Sequence, residues 1–298
     1  MKKFLINIAI FFAIVAVVDF SLGKAFHYIQ ARAGGRTGSE YYVCEKATED
    51  VIIMGSSRAS HHYVPEIISK KLGMSCFNAG QDGNGIILQY GRWKMISERY
   101  TPRVIIYDVN PSFDICLNDN MAYVDRLKPF CDDRNVLDYV ANIFPMEKLK
   151  LLSQMYRYNY KFIEMLSDCT INKNDLLNGY IPLNGLIRQE MVDAERPIKT
   201  STIREDPIKV YYLEKLAEEC KERGSNLIFV ASPSFRGGNY GKSAFEVVEN
   251  ISQKYSIPFL YYYESDFSED PSVFRDSQHL NNSGAEKFTT EIIDLTQI

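Results

Sequence analysis

Val51-Ile52-Ile53-Met54-Gly55-Ser56-Ser57-Arg58 is the stretch that sets the architecture of this chain. Four consecutive apolar residues, three of them β-branched, suit a short strand buried on both faces. Gly55 ends the run, and a serine pair follows where the chain turns into a helix. The same rhythm continues outward. Pro65 fits the first turn of a helix reaching about Leu72, and Gly73 stops it. Ser75–Ala79 reads as a second strand. Beyond the Gly80–Gly85 loop, Ile86, Tyr90, Trp93 and Ile96 have helical spacing within Ile86–Glu98, and Pro102 precedes a third strand, Arg103–Val109. Farther on, Asp206-Pro207 opens a helix that runs to about Arg223 and stops at Gly224. Asn226–Ala231 is a fourth strand, Ser243–Tyr255 a helix, Pro258–Tyr263 a fifth strand and Ser283–Leu295 the closing helix. Strands alternating with helices predict an α/β fold, a five-stranded parallel sheet covered on both faces as a three-layer sandwich. Ligands of such sheets bind beyond the carboxyl ends of the strands. Ser57, the Gly80–Gly85 loop, Asn110 and the Ser232-Pro233 turn all emerge at that edge.

Composition narrows the functional classes. The chain has 298 residues, 46% hydrophobic and 24% charged, which argues against disorder and allows one large domain or two small ones. Net charge is −4 with no basic run after residue 3, so nucleic acid is not an expected partner. Aromatics are plentiful, 20 Tyr and 17 Phe; tyrosines can line a sugar site, but they pack cores and strands more often. Lys2 and Lys3 precede a charge-free apolar run, Phe4–Val18, that extends past Asp19 to Leu22. Residues 1–23 therefore read as a signal anchor with the lysines inside and the rest outside, the alternative being a cleaved signal peptide. Residues 24–48 read as a connector with local helix at Ala25–Ala31 and a turn at Gly34-Gly35. Six cysteines fit an oxidising compartment, and Cys116 with Cys131 is the favoured pairing. No cysteine or histidine cluster has the spacing of a zinc site. Residues 49–298 form the main domain, interrupted at about 111–200 by an insertion whose one convincing helix is Met146–Leu166.

A second motif carries chemistry: Asp276-Ser277-Gln278-His279-Leu280-Asn281, just ahead of the last helix. A serine hydroxyl is a weak nucleophile that needs a base, and the base needs an orienting partner. Ser57, His279 and Asp276 supply the three roles. Taken singly, the serine pair suits a turn, Asp276 a cap and His279 a surface loop. Their order and placement together point to a serine hydrolase or acyltransferase. Arg58, His61 and His62 follow the serine; Arg58 and His62 are candidates to touch substrate, against the plainer reading of exposed first-turn residues. Arg236–Gly241 is a Gly-rich stretch that borders the pocket or forms an ordinary turn.

On these motifs the chain resembles the SGNH hydrolases, the GDSL esterase/lipase family. Gly55-Ser56-Ser57 matches the block that carries the nucleophile, Asn78-Ala79-Gly80-Gln81-Asp82-Gly83 the second block, Asp108-Val109-Asn110-Pro111 the third and Asp276-Ser277-Gln278-His279 the last. The match covers about Val51–Val109 and Asn226–Ile298. Ser56 stands where the family has Asp, and Arg58 where it has Leu; the third block lacks its Gly and second Asp. A register slip would make Ser56 the nucleophile. The resemblance implies a flavodoxin-like fold and a catalytic set of Ser57, His279 and Asp276. It also implies an oxyanion hole from the Ser57 and Gly83 N–H groups with the Asn110 side chain, and no cofactor or metal. Gly-Ser-Ser variants are similar to membrane-tethered members that act on cell-envelope polymers. The expected partner is thus an acylated carbohydrate or small ester, met outside the cytoplasm in the periplasm or at the cell surface. Two alternatives stay open: an acyltransferase served by a membrane acyl-export partner, and an inactive scaffold or binding protein.

Overall fold

A computed structural model of the chain describes residues 1–118, 121–171, 177–196, 198–200 and 203–295. Parts of the expected insertion at 119–120, 172–176 and 197 lie outside these. Five strands form one sheet, all parallel, in the order β2-β1-β3-β4-β5. They are β1 (Val51–Gly55), β2 (Cys76–Asn78), β3 (Val104–Asp108), β4 (Asn226–Ala231) and β5 (Phe259–Tyr261). Val51 and Ile53 of β1, Val104 and Ile106 of β3, and Ile228 and Val230 of β4 share one core with Ile68, Phe288 and Ile292. Helices Ser57–His62, Pro65–Leu72 and Asn282–Leu295 pack together on that face. Ile52, Ile105 and Phe229 are buried as well, and strand alternation sends them to the opposite face. There Ile86–Arg99, Pro207–Arg223 and Glu246–Tyr255 pack together. This is the three-layer α/β sandwich the alternation predicts, with strands near the expected bounds.

The strand order reverses between β1 and β3, which places the crevice of a doubly wound sheet at their carboxyl ends. Gly55 makes the exit from β1 sharp. Its φ is +138°, and a β-carbon there would lie 2.6 Å from the carbonyl oxygen of Asp108 on the neighbouring strand. Only glycine tolerates both conditions, so Ser56 and Ser57 turn directly over the sheet edge.

By contact the chain divides into two units, Glu45–Asn120 with Leu177–Ile298, and Met1–Cys44 with Met121–Leu176. The first holds the sheet. The second is helical, and it departs from expectation in two places. The apolar N-terminus is part of one continuous helix, Lys2–Arg32, followed at once by Gly35–Glu45, so 24–48 is mostly helical. Phe26 packs its ring on Tyr158 and Phe162. The expected Met146–Leu166 helix is broken into Glu147–Lys150, a 3₁₀ turn at Tyr156–Tyr158 and Phe162–Asp168. The cause is local. The N–H groups of Gln154 and Met155 and the Ser153 hydroxyl all donate to the Asp19 carboxylate, and the Tyr156 N–H donates to Ser153 Oγ. Those donors are lost to the helical ladder. Within the same unit, Lys161 is buried against Glu40, which Arg126 also approaches at 3.7 Å.

All six cysteines are free thiols. The favoured Cys116–Cys131 bridge is not formed. Cys131 Sγ faces the Leu127 carbonyl and Cys116 Sγ the Tyr240 hydroxyl.

Asp206 caps its helix as predicted, accepting the Ile208 N–H at 2.9 Å, with Pro207 in the first turn. Asp206→Ala should cost about 1 kcal/mol. Denaturant unfolding checks this, and an unchanged midpoint would refute the capping role.

Candidate active site

The serine that follows β1 and the loop that precedes the last helix meet at the sheet's carboxyl edge. Ser57 Oγ lies 2.8 Å from His279 Nε2. His279 Nδ1 lies 3.0 Å from each oxygen of Asp276. A carboxylate only accepts, so Nδ1 carries the proton, Nε2 presents its lone pair and the Ser57 hydroxyl donates to it. Asp276 also accepts the backbone N–H groups of Gln278 and His279 at 2.8 and 2.9 Å. Burial works to raise its pKa, but the His279 side chain and these two N–H groups outweigh burial and hold it below the usual value. Asp276 is thereby kept as the anion that orients the ring.

Ser56 is fully buried, and its Oγ receives the Asn110 Nδ2 donor at 3.3 Å. The ring of His279 addresses Ser57 instead. Asn110 caps the short helix that follows β3, taking the Ser112 N–H at 3.1 Å. A residue that sequence reasoning missed holds it there. Buried Asp114 accepts the Asn110 and Ile86 N–H groups and the Tyr107 hydroxyl, each at 2.7 Å. Its burial outweighs those donors and pushes its pKa up to about 6. Gly83 lies on the loop after β2 with φ +68° and open space where a side chain would be. It is not among the residues that line the cleft at Ser57.

Arg58 and His62 are not first-turn surface residues; their exposures are 1% and 0%. Arg58 donates to the carbonyls of Val109 at 2.6 Å and Ser232 at 3.3 Å, and its Nε sits 3.5 Å from Asp108. Asp108 in turn accepts the Tyr63 hydroxyl at 2.5 Å. A carboxylate at the end of a buried apolar strand was the available sign that a cation must reach it. His62 Nε2 accepts the Leu280 N–H at 3.0 Å, so Nδ1 carries the proton and faces Ser232 Oγ at 2.9 Å. Burial, and after it the nearness of the cationic forms of His279, Arg58 and His61, holds its pKa well below the usual value, and it stays neutral. His61 sets its ring edge-on to His279 at 5.2 Å and bonds the Ile181 carbonyl through Nδ1.

Ser57, Arg58, Asn110, Tyr240, Tyr263 and His279 are among the residues lining a cleft of about 430 Å³. Asn239, within the Arg236–Gly241 stretch, lines it too. Among the described residues no group of three or more His, Cys, Asp or Glu side chains is placed to hold a metal ion. The arrangement offers a hydroxyl, a base with its proton-accepting nitrogen on that hydroxyl, and an anion behind the base.

No protein-family model matches the chain, and no curated protein matches it by sequence. Solved structures similar to it include the psychrotrophic esterase EstA from Pseudoalteromonas sp., at 11% identity over 82% of this chain and 94% of that one, with a TM-score of 0.43. Another is the acetyl xylan esterase AlAXEase, at 9% identity over 83% of this chain and 99% of that one, with a TM-score of 0.41. A two-domain esterase active on acetylated mannans is similar at 11% identity over 82% of this chain and 47% of that one, with a TM-score of 0.38. Likeness this distant leaves function to the geometry of the site.

The neutral state of His62 has a pH signature. The unfolded chain takes a proton on this residue near pH 6.5 that the folded chain refuses. Its contribution to stability is therefore complete above that pH and falls as pH drops, by about 1.4 kcal/mol per pH unit for one such proton. Unfolding measured at pH 7 and pH 5 should show a smaller acid loss in His62→Asn than in wild type. Equal losses would assign the acid sensitivity elsewhere.

Proposed function

We propose that this chain is an extracytoplasmic serine esterase that removes acyl groups from a carbohydrate or cell-envelope polymer. One observation carries the reading: Ser57 Oγ stands 2.8 Å from His279 Nε2 while Asp276 holds Nδ1. In the proposed reaction Ser57 Oγ attacks the ester carbonyl carbon and passes its proton to His279 Nε2. Asp276 stabilises the imidazolium. The Ser57 backbone N–H, Asn110 Nδ2 and the Gly83 N–H on the loop after β2 are the expected donors to the developing oxyanion. Collapse breaks the ester C–O bond, and the sugar hydroxyl leaves with the proton from His279. Water, deprotonated by the same nitrogen, then releases the acid and restores Ser57.

The cleft supports a sugar ester as substrate. Tyr240, Tyr263 and Phe113 supply ring faces, and Asn239 and Gln278 supply amide donors and acceptors. A sugar hydroxyl in place of water would make the same acyl-enzyme a transferase, and adding a sugar acceptor to the assay separates the two outcomes.

Lys2–Arg32 is long and apolar enough to cross a membrane, with a mean hydropathy of 2.5 over its most apolar window, features it shares with a signal sequence. The packing of Asp19 against residues 153–155 favours a retained anchor, because cleavage near residue 23 would remove that carboxylate.

Hydrolysis of p-nitrophenyl acetate tests the chemistry. Ser57→Ala should lower kcat by roughly 10⁴–10⁶-fold, and Asn110→Ala by roughly 10²–10³-fold. Activity retained in Ser57→Ala would remove the proposed nucleophile, and an unaffected Asn110→Ala would remove that oxyanion donor.

A further inference from the structure

Exposed apolar side chains of the helical unit run along its N-terminal helix and recur in the segment 146–155, which meets that helix at Asp19. Residues Phe4–Val18 of that helix are almost all exposed, and the first residue tied to the rest of the unit is Asp19, through Ser153, Gln154 and Met155. The apolar run spans about 22 Å at the helical rise against a hydrocarbon core of about 30 Å, so a helix seated in a bilayer holds Asp19 near the hydrocarbon boundary, within the last two turns of the span. The Asp19 carboxylate meets that position with three donors already in place.

The segment that supplies those donors presents an apolar face. Met146, Leu149, Leu152 and Met155 are 69%, 66%, 73% and 40% exposed. They recur every third residue. The chain here is bonded partly in three-residue turns, with Leu152 N–H to Leu149, Ser153 N–H to Lys150 and Tyr158 N–H to Met155. Helical turns place positions i and i+3 as neighbours, so Met146, Leu149 and Leu152 lie along one side, and Met155 follows across the turn whose N–H groups bond Asp19. Lys148 and Lys150 flank them, each within reach of a carboxylate, Asp138 at 3.6 Å and Glu147 at 2.7 Å. An aqueous surface gains nothing from such a row, and a cluster of this kind marks a contact.

We propose that Met146, Leu149, Leu152 and Met155 form a second membrane contact, lying in the headgroup and upper acyl region of the bilayer that the N-terminal helix crosses. The occupant is lipid because the patch is continuous with the anchor: the residues between its members hold Asp19 at the boundary. This contact rests on the anchor reading. It adds a side-on interfacial grip to a single span and thereby fixes the tilt of the helical unit against the membrane.

Full-length protein in phosphatidylcholine nanodiscs with brominated acyl chains tests it. The chain has one tryptophan, Trp93, which is fully buried in the other unit and gives a constant background. Four variants add a second: Phe11→Trp, Leu149→Trp, Leu152→Trp and Ile163→Trp. All four positions are exposed, so the new side chain is tolerated. Ile163 follows Phe162, which packs on Phe26 and so lies about 10 Å farther along the helix than Asp19. The expected result is strong quenching at position 11, clear quenching with blue-shifted emission at 149 and 152, and little at 163. Quenching at 11 without quenching at 149 and 152 overturns the interfacial contact and leaves the anchor. Absence of quenching at 11 overturns the anchor and the contact together.

Discussion

One uncharged imidazole joins the three segments on which the site depends. His62 belongs to the helix that begins with Ser57. Its Nδ1 proton faces Ser232, at the turn after β4, and its Nε2 takes the Leu280 N–H, one residue past His279. The ring therefore fixes the distance between the serine's helix and the Asp276–His279 loop, which meet through Ser57 and His279, 222 residues apart. Neutrality is required. A doubly protonated ring has no lone pair for Leu280, and the loop would lose its tie at the point where Nε2 of His279 must reach Ser57. Other bonds set the same loop from the far side, with the Phe235 N–H and Ser234 hydroxyl both donating to the Ser277 carbonyl.

Beneath this junction lies a buried charge pair. Arg58 and Asp108 are both sequestered, and such pairs seldom add net stability over apolar packing because desolvation offsets their attraction. What this pair does is geometric. The Arg58 guanidinium reaches carbonyls after β3 and after β4, so the turn that carries Ser57 is bolted to two other strand ends. Together with Gly55, whose replacement would collide with Asp108, the pair leaves the serine one place to go. Asp114 performs the corresponding duty for Asn110.

Much of this was legible in the sequence. β1, β3 and β4 showed as short apolar runs, and glycine or proline marked helix ends, because these strands are buried on both faces and need no polar alternation. Ser57, His279 and Asp276 could be singled out because a hydroxyl, an imidazole and a carboxylate are the residue types such chemistry needs, and the structure brings these three side chains together. Arg58 and His62 were placed on the surface because first-turn polar residues usually are; only tertiary contact reveals that their partners come from β3, β4 and the last loop. The broken helix at 146–166 has the same origin. Its apolar spacing is helical, but Asp19, over a hundred residues earlier, takes the N–H groups the helix would use.

The account stands on Ser57 as the reactive hydroxyl. Peptide mapping by mass spectrometry, after treatment with a fluorophosphonate, asks that question directly. A single phosphonyl adduct on Ser57, absent from the adjacent Ser56, is the expected result. Hydrolytically active protein that carries no adduct, or carries it on Ser56 or another residue, would contradict the account.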